Sequence, residues 1–172
     1  MTRFLLPLVI ATLTILSAVP RSEAASTEGP ANTLAAVFVR YYGALQKERY
    51  EEALALLHER LRQALQIRTA KDLAARNILA QRDLVEAFRE FDHIDVAKTE
   101  VDLTSIKATV SASDSVSVSG QVVYDLVVFP VGPGRPLMYR VVMDVGLSQG
   151  LIIRLTQESI TRIDPGAIRD VL

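Results

Sequence analysis

The segment LMYRVVMDVGLSQGLIIRLTQESITRI, Leu137–Ile163, decides the reading of this chain. It holds two runs, Leu137–Leu147 and Leu151–Ile163, in which aliphatic and β-branched residues alternate with polar ones, the period of a half-buried strand. Ser148-Gln149-Gly150 between them suits a three-residue hairpin loop with Gly150 in the left-handed conformation. That loop pairs Leu147 with Leu151, Val145 with Ile153 and Met143 with Leu155 on one face. It sets Asp144 opposite Arg154 and Arg140 opposite Glu158 on the other. Apolar pairs on one side and opposite charges on the reverse describe an antiparallel sheet with one wet face.

Working toward the N-terminus, the same period continues. Val116–Phe129 reads as a third long strand, and Val96–Leu103 and Ile106–Val110 as two short ones. The glycine- and proline-rich Val131–Pro136 marks a hairpin tip without fixing a register. At 11 to 14 residues the three long runs exceed the usual strand length of about 5–6. Such strands must twist and bend, with Gly120, Pro130 and Gly146 as sites for bulges or kinks, so a strongly curved sheet is expected.

Before His93 the period is that of a helix. Leu34, Val37, Phe38, Tyr41 and Leu45 form one stripe, with Asn32 or Thr33 as cap and an end near Gln46. After the polar break Lys47-Glu48-Arg49, a single second helix is expected to carry Ala53, Leu54, Leu57, Leu61, Ala64 and Leu65 inward. It should pack antiparallel to the first. Thr69-Ala70-Lys71-Asp72 has the form of a capping box opening a third helix, which ends near Asp92. The fold class is therefore α+β: N-terminal helices packed in a strongly curved antiparallel sheet.

The extreme N-terminus is read apart from the fold. Arg3 gives a positive start, Phe4–Val19 is uncharged and largely apolar, and Ser22-Glu23-Ala24 places small residues where signal peptidase needs them. Residues 1–24 are thus expected to be a signal peptide, 25–32 a flexible lead-in, 33–163 the domain and 164–172 a tail. An uncleaved membrane anchor is the rival reading. A span needs roughly 20 apolar residues, and this run is shorter and interrupted by Pro7. Cleavage after residue 24 of 172 leaves 148 residues and a formal charge of −2 instead of −1, enough for one core and too balanced to recruit nucleic acid. The chain has no cysteine and only two histidines. That rules out thiol chemistry, disulfides and a lipid-bearing cysteine, and leaves no zinc-type ligand set. No cofactor-binding or metal motif is present. An exported, periplasmic location is expected, with no membrane association once the signal is removed.

The stretch Tyr41-Tyr42-Gly43-Ala44-Leu45-Gln46-Lys47-Glu48-Arg49-Tyr50-Glu51-Glu52-Ala53-Leu54 resembles the opening helical hairpin of the NTF2-like (cystatin-like α+β, SnoaL-type) superfamily. It shares an aromatic pair, a short polar break and a tyrosine with paired acids before an alanine-leucine helix. The same stretch suits a tetratricopeptide-type unit, but a solenoid needs about three, and the β-rich second half argues against it. The resemblance spans Thr33 to Ile163 and implies a cone-shaped sheet around the first helix with a pocket at its open end. Members include isomerases, dehydratases, hydrolases, transport factors and non-catalytic exported proteins, and homodimers through the sheet are implied as well.

With the apolar face inward, parity assigns Val116, Val118, Val122, Tyr124, Leu126, Tyr139, Val141, Met143, Ile153 and Leu155 to the interior. It assigns Asp125, Arg140, Asp144, Arg154 and Glu158 to solvent. Enzymes of the superfamily place an Asp, His or Tyr inside the cone; the inner faces of these long strands offer no carboxylate or histidine. Their polar groups are Tyr124, Tyr139, Gln157 and Ser159, with Tyr41 or Tyr42 reaching from the first helix. Tyrosines there can orient a ligand or simply pack in the core. His58, beside the stripe of the second helix, reads as a boundary residue. Asp92-His93 is either an acid–base dyad or a polar junction.

The expected function is that of an exported, non-catalytic domain that binds a small apolar ligand or a protein partner, with Tyr41, Tyr42, Tyr124, Tyr139 and His93 as candidate ligand contacts. The alternative is an isomerase- or hydrolase-type enzyme using Tyr124, Tyr139 or His93. A third reading is an envelope protein tethered by an uncleaved Phe4–Val19. Intact-mass analysis of the exported product is expected to give a chain beginning at Ala25; a mass retaining Phe4–Val19 would contradict the signal reading.

Overall fold

In the computed structural model, which describes residues 28–163, the period-two half of the chain forms strands and the other half helices. The expected signal peptide, the first residues of the lead-in and the tail lie outside the described residues. Four helices, α1 (Glu28–Gln46), α2 (Tyr50–Ala55), α3 (Glu59–Ala64) and α4 (Ala70–Asp92), precede four strands. The strands, β1 (Val96–Ser113), β2 (Ser117–Pro130), β3 (Leu137–Ser148) and β4 (Leu151–Ile163), form one antiparallel sheet in the order β1-β2-β3-β4.

α1 begins at Glu28, inside the expected lead-in and ahead of the expected Asn32 or Thr33 cap. Pro30 is tolerated because the N–H it lacks is unpaired in a first turn. Thr33 instead donates its hydroxyl to the Gly29 carbonyl within the helix at 2.9 Å. α4 starts as expected: Thr69 Oγ1 accepts from Asp72 N at 3.2 Å, and Asp72 Oδ2 accepts from Thr69 N at 2.8 Å.

The expected single second helix is broken into α2 and α3, a correction with a clear cause. Leu57 leaves the helix to form a parallel bridge with Ile152 at the edge of β4. His58 N donates to Ile152 O, and Ile152 N to Leu56 O, each at 2.9 Å. His58 then takes an extended conformation and caps α3, its Nδ1 accepting from Arg60 N at 3.2 Å. A leucine stripe at helical spacing is equally consistent with a chain that pauses to satisfy a strand edge, since both bury Leu57 and Leu61.

β1 unites the two short expected strands. The predicted interruption survives as a bulge, because the register slips between Asp102 and Lys107. There Asp102 Oδ1 accepts from Thr104 N at 2.9 Å and Thr104 Oγ1 at 2.7 Å. Gly120 sits where β1 slips again: a Cβ there would lie 2.0 Å from the Thr109 carbonyl oxygen. Slips also occur beside Pro130 and Gly146.

The last hairpin corrects the expected register. Ser148 pairs with Leu151, so the loop is two residues, Gln149 (φ 52°) and Gly150 (φ 76°). Positive φ at both suits the turn whose twist matches flanking strands. This alone would flip every side chain of β4. A bulge at Ile153 restores the faces by pairing Val145 with Leu155, and a second at Glu158 shifts them again. Hence Ile153 is exposed, Ser159 moves to the outer face, and Ile160 and Arg162 fall opposite Val141 and Tyr139 on the inner one. Val116 is likewise exposed, ahead of β2.

Substituting Gly120→Ala is expected to lower stability by about 1–3 kcal/mol or more in urea unfolding, because the new methyl meets backbone that cannot yield. Gly29→Ala, with nothing within 4 Å, should change little. Equal stability of the two variants would contradict the β1–β2 register.

Candidate functional site

Four of the five residues singled out in the sequence lie on the helix-covered side of the sheet, in two groups. Tyr41 and Tyr42 come from α1, where one helical face carries Leu34, Phe38 and Tyr42 toward β2. Tyr124 stands on the inner face of β2, alternating with Val122 and Leu126. The Tyr42 and Tyr124 hydroxyls are 3.1 Å apart and share one hydrogen bond. Their rings are centred 5.3 Å apart, with Phe38 5.1 Å from Tyr42 and 6.3 Å from Tyr124. Tyr41 packs edge-on against Tyr42 at 5.6 Å. These rings pack against one another in direct aromatic contact.

Tyr139 belongs to a second group. Its ring is 4.5 Å from Phe88 of α4, it is 1% exposed, and its hydroxyl has no hydrogen-bond partner. One turn beyond Phe88, Asp92 Oδ1 accepts from Arg162 Nη1 at 3.2 Å, while Asp92 Oδ2 is buried and unpartnered. Arg162 lies opposite Tyr139 in the ladder, so α4, β3 and β4 bring Phe88, Asp92, Tyr139 and Arg162 together. Sequence reasoning missed Asp92 and Arg162 as a pair because only the bulge at Glu158 turns Arg162 inward. His93 joins neither group: it is exposed and ends α4 in the left-handed conformation (φ 55°).

The charged residues assigned to solvent lie on the outer face, with one correction. Asp125 is 7% exposed, not solvated. Arg140, directly opposite it, donates from Nε at 3.1 Å and Nη2 at 3.3 Å. Ser105, in the β1 bulge, accepts from Asp125 N at 2.7 Å. The expected Arg140–Glu158 pair is absent among the described residues because the bulge displaces Glu158. The expected Asp144–Arg154 pair forms at 3.0 Å. A groove of roughly 800 Å³ lies elsewhere, between α3 and the start of α4, its lining including Ile67 and charges of both signs, Glu59, Arg62, Arg68 and Asp72. Among the described residues no group of three His, Asp or Glu stands close enough to hold a metal ion.

Burial dominates the electrostatics of the tyrosine cluster. It pushes the Tyr41 and Tyr42 hydroxyls well above their usual value near 10, reinforced by each one's tyrosine neighbour. It raises Tyr124 to about 12, the bond from Tyr42 opposing the shift. Hydroxyls so hard to ionise are poor acids that supply no phenolate near neutral pH, and they serve as neutral hydrogen-bonding groups in a core.

No protein-family model matches the chain, and neither a curated protein nor a solved structure matches it. What the fold itself defines is an α+β protein with a four-strand antiparallel sheet following its helices.

Two outcomes follow from the cluster. Tyr124→Phe leaves the Tyr42 hydroxyl unpaired and should cost about 1–3 kcal/mol. The Tyr42→Phe, Tyr124→Phe double variant should recover part of that loss, and a strictly additive cycle would contradict the bond. Because the folded chain holds these protons more tightly than the unfolded one, their contribution is fully present below pH 10. It falls as pH rises from 10 through about 12, by up to about 1.4 kcal/mol per unit for each group. Phenolate absorbance of Tyr124 in the folded chain should therefore appear only toward pH 12; ionisation near pH 10 in a folded chain would contradict the burial.

Proposed function

We propose that this chain is an exported, periplasmic, non-catalytic domain of NTF2-like type that works by binding, and that it binds a second copy of itself through the outer face of its sheet. One observation carries the reading. Val123, Val127 and Phe129 of β2 and Met138 and Val142 of β3 share the outer face, each partly exposed. The contacts of α1 and α4 with Tyr124, Tyr139 and Thr99 place both helices on the opposite side. With β2 at 14 residues, a strand rise of about 3.3 Å and a strand spacing of about 4.8 Å, this face measures on the order of 800–900 Å². That matches the ~800 Å² per partner of a stable interface.

The chemistry of the face suits a protein surface. The apolar strip along β2 and β3 is crossed by the Asp125–Arg140 ion pair, which separates Val123 and Val142 from Val127, Phe129 and Met138. Charged residues flank it, Lys98, Glu100 and Lys107 on β1 and Arg154 on β4, in the manner of a rim around an interface core. Both signs are present, so a two-fold arrangement can set the strip of one copy against that of the other without accumulating like charge. The close packing of Phe38, Tyr42 and Tyr124 favours this reading over a ligand held between those rings. The enzyme alternative loses support because Tyr124 is committed to Tyr42, Tyr139 stacks on Phe88, and His93 faces solvent.

Sedimentation equilibrium of residues 25–172 at high micromolar concentration should give a dimer. Val142→Lys should give a monomer with unchanged circular dichroism. A wild-type monomer under these conditions would overturn the proposal.

A further inference from the structure

The C-terminal half of α4 is held less firmly than its length suggests. Of its 23 residues only Leu73 and Phe88 are buried, and Ile78, Leu79 and Phe91 are largely exposed. Its middle is tied to β1 by Thr99 Oγ1 donating to Gln81 Oε1 at 2.6 Å. Its end is held by the Phe88–Tyr139 stack, by Leu84 and Val85 against the core, and by the Asp92–Arg162 and Arg89–Asp95 ion pairs, both exposed on the arginine side. Arg162 is half exposed, so the ion pair is weakened by water and salt.

Both connections flanking the helix contain a non-glycine residue with positive φ, Gln66 (57°) and His93 (55°). The left-handed region disfavours side chains bearing a Cβ, so rotation at these positions relieves strain as the helix lifts. Beneath the same end lie two buried polar atoms without partners, Tyr139 Oη and Asp92 Oδ2. Leaving such groups unpaired penalises the closed arrangement. Strained flanks, an apolar contact confined to Leu84, Val85 and Phe88, and unpaired polar atoms at one helix end together describe a cover that can open.

We propose that the C-terminal half of α4 is a hinged cover over a binding site for a small apolar molecule bearing one N–H or O–H group. With the cover raised, the apolar body lies between Phe88 and Tyr139, beside Leu84 and Ile160, which already pack on the core. The polar hydrogen donates to Asp92 Oδ2, and the atom that carries it accepts from the Tyr139 hydroxyl where it has a free lone pair. The site is on the inner face, opposite the proposed dimer surface, so each can be tested without the other.

The test combines hydrogen exchange with the fluorescent probe N-phenyl-1-naphthylamine, an apolar molecule with one N–H. In the wild-type chain, amides 84–92 should exchange at least about tenfold faster than amides 122–128. The probe should bind saturably, one per chain, and slow exchange over 84–92. Arg162→Gln, which removes the latch, should speed that exchange further and tighten probe binding. Amides 84–92 as protected as 122–128, or no saturable binding by the wild-type chain, would overturn the cover. The wild-type measurements decide the matter even if the variant folds poorly.

Discussion

β2 and β3 pair without a slip from Ser117 opposite Ser148 to Val128 opposite Leu137. This ladder is the constraint on which the rest of the structure depends. Because side chains alternate along both strands, an unbroken register places Val122, Tyr124, Leu126 and Val128 beside Tyr139, Val141, Met143 and Val145 on one face. That face is the wall against which α1 lays Leu34, Phe38 and Tyr42 and α4 lays Phe88. The ladders on either side, β1–β2 and β3–β4, carry all the register slips, so bulges adjust the edges while the central pair stays fixed.

The ladder also decides where charge resides. Asp125 and Arg140 are opposite each other at its centre, on the outer face, and the bidentate bond from Arg140 compensates the burial of the carboxylate. Removing Arg140 would strand the buried Asp125 carboxylate, whereas removing Asp125 would leave a half-exposed guanidinium in water; a slip of one residue would separate the two, so the pair helps to fix the register. Asp92 and Arg162 repeat the arrangement less completely at the rim of the inner face, where one carboxylate oxygen is left without a partner. One pair is thus fully satisfied at the centre of the sheet, and the other is only half satisfied at the helix end.

How far the sequence reveals this depends on how many arrangements a pattern admits. The Thr69–Asp72 capping box and the apolar spacing of α1 admit one: α4 stands where the pattern puts it, and α1 keeps its expected stripe and end but starts at Glu28, ahead of the expected cap. The stripe from Ala53 to Leu65 admits two, because Leu57 is buried equally well by helix packing and by a bridge to Ile152. Ser148-Gln149-Gly150 admits a two- or a three-residue loop, and the bulges at Ile153 and Glu158 carry no compositional mark. Parity therefore matches β2 and β3, and on β4 it matches Arg154, Leu155 and Gln157 between the two bulges but not Ile153 or the residues from Ser159 onward. For the site, the tyrosines were identifiable as inward residues. That Tyr42 and Tyr124 share a bond while Tyr139 sits apart with Phe88 depends on how α1 and α4 cross the sheet, which no local pattern encodes. Arg162 was hidden for the same reason as the bulge that turns it inward.

α1 and α4 close directly on the apolar face of the β2–β3 ladder, with aromatic rings in contact. Nuclear Overhauser spectroscopy of the mature chain tests this arrangement most directly. Cross-peaks are expected from Tyr124 ring protons to Phe38 and Tyr42, and from Tyr139 to Phe88. Tyr124 and Tyr139 rings showing cross-peaks only to neighbouring strands, and none to either helix, would contradict it.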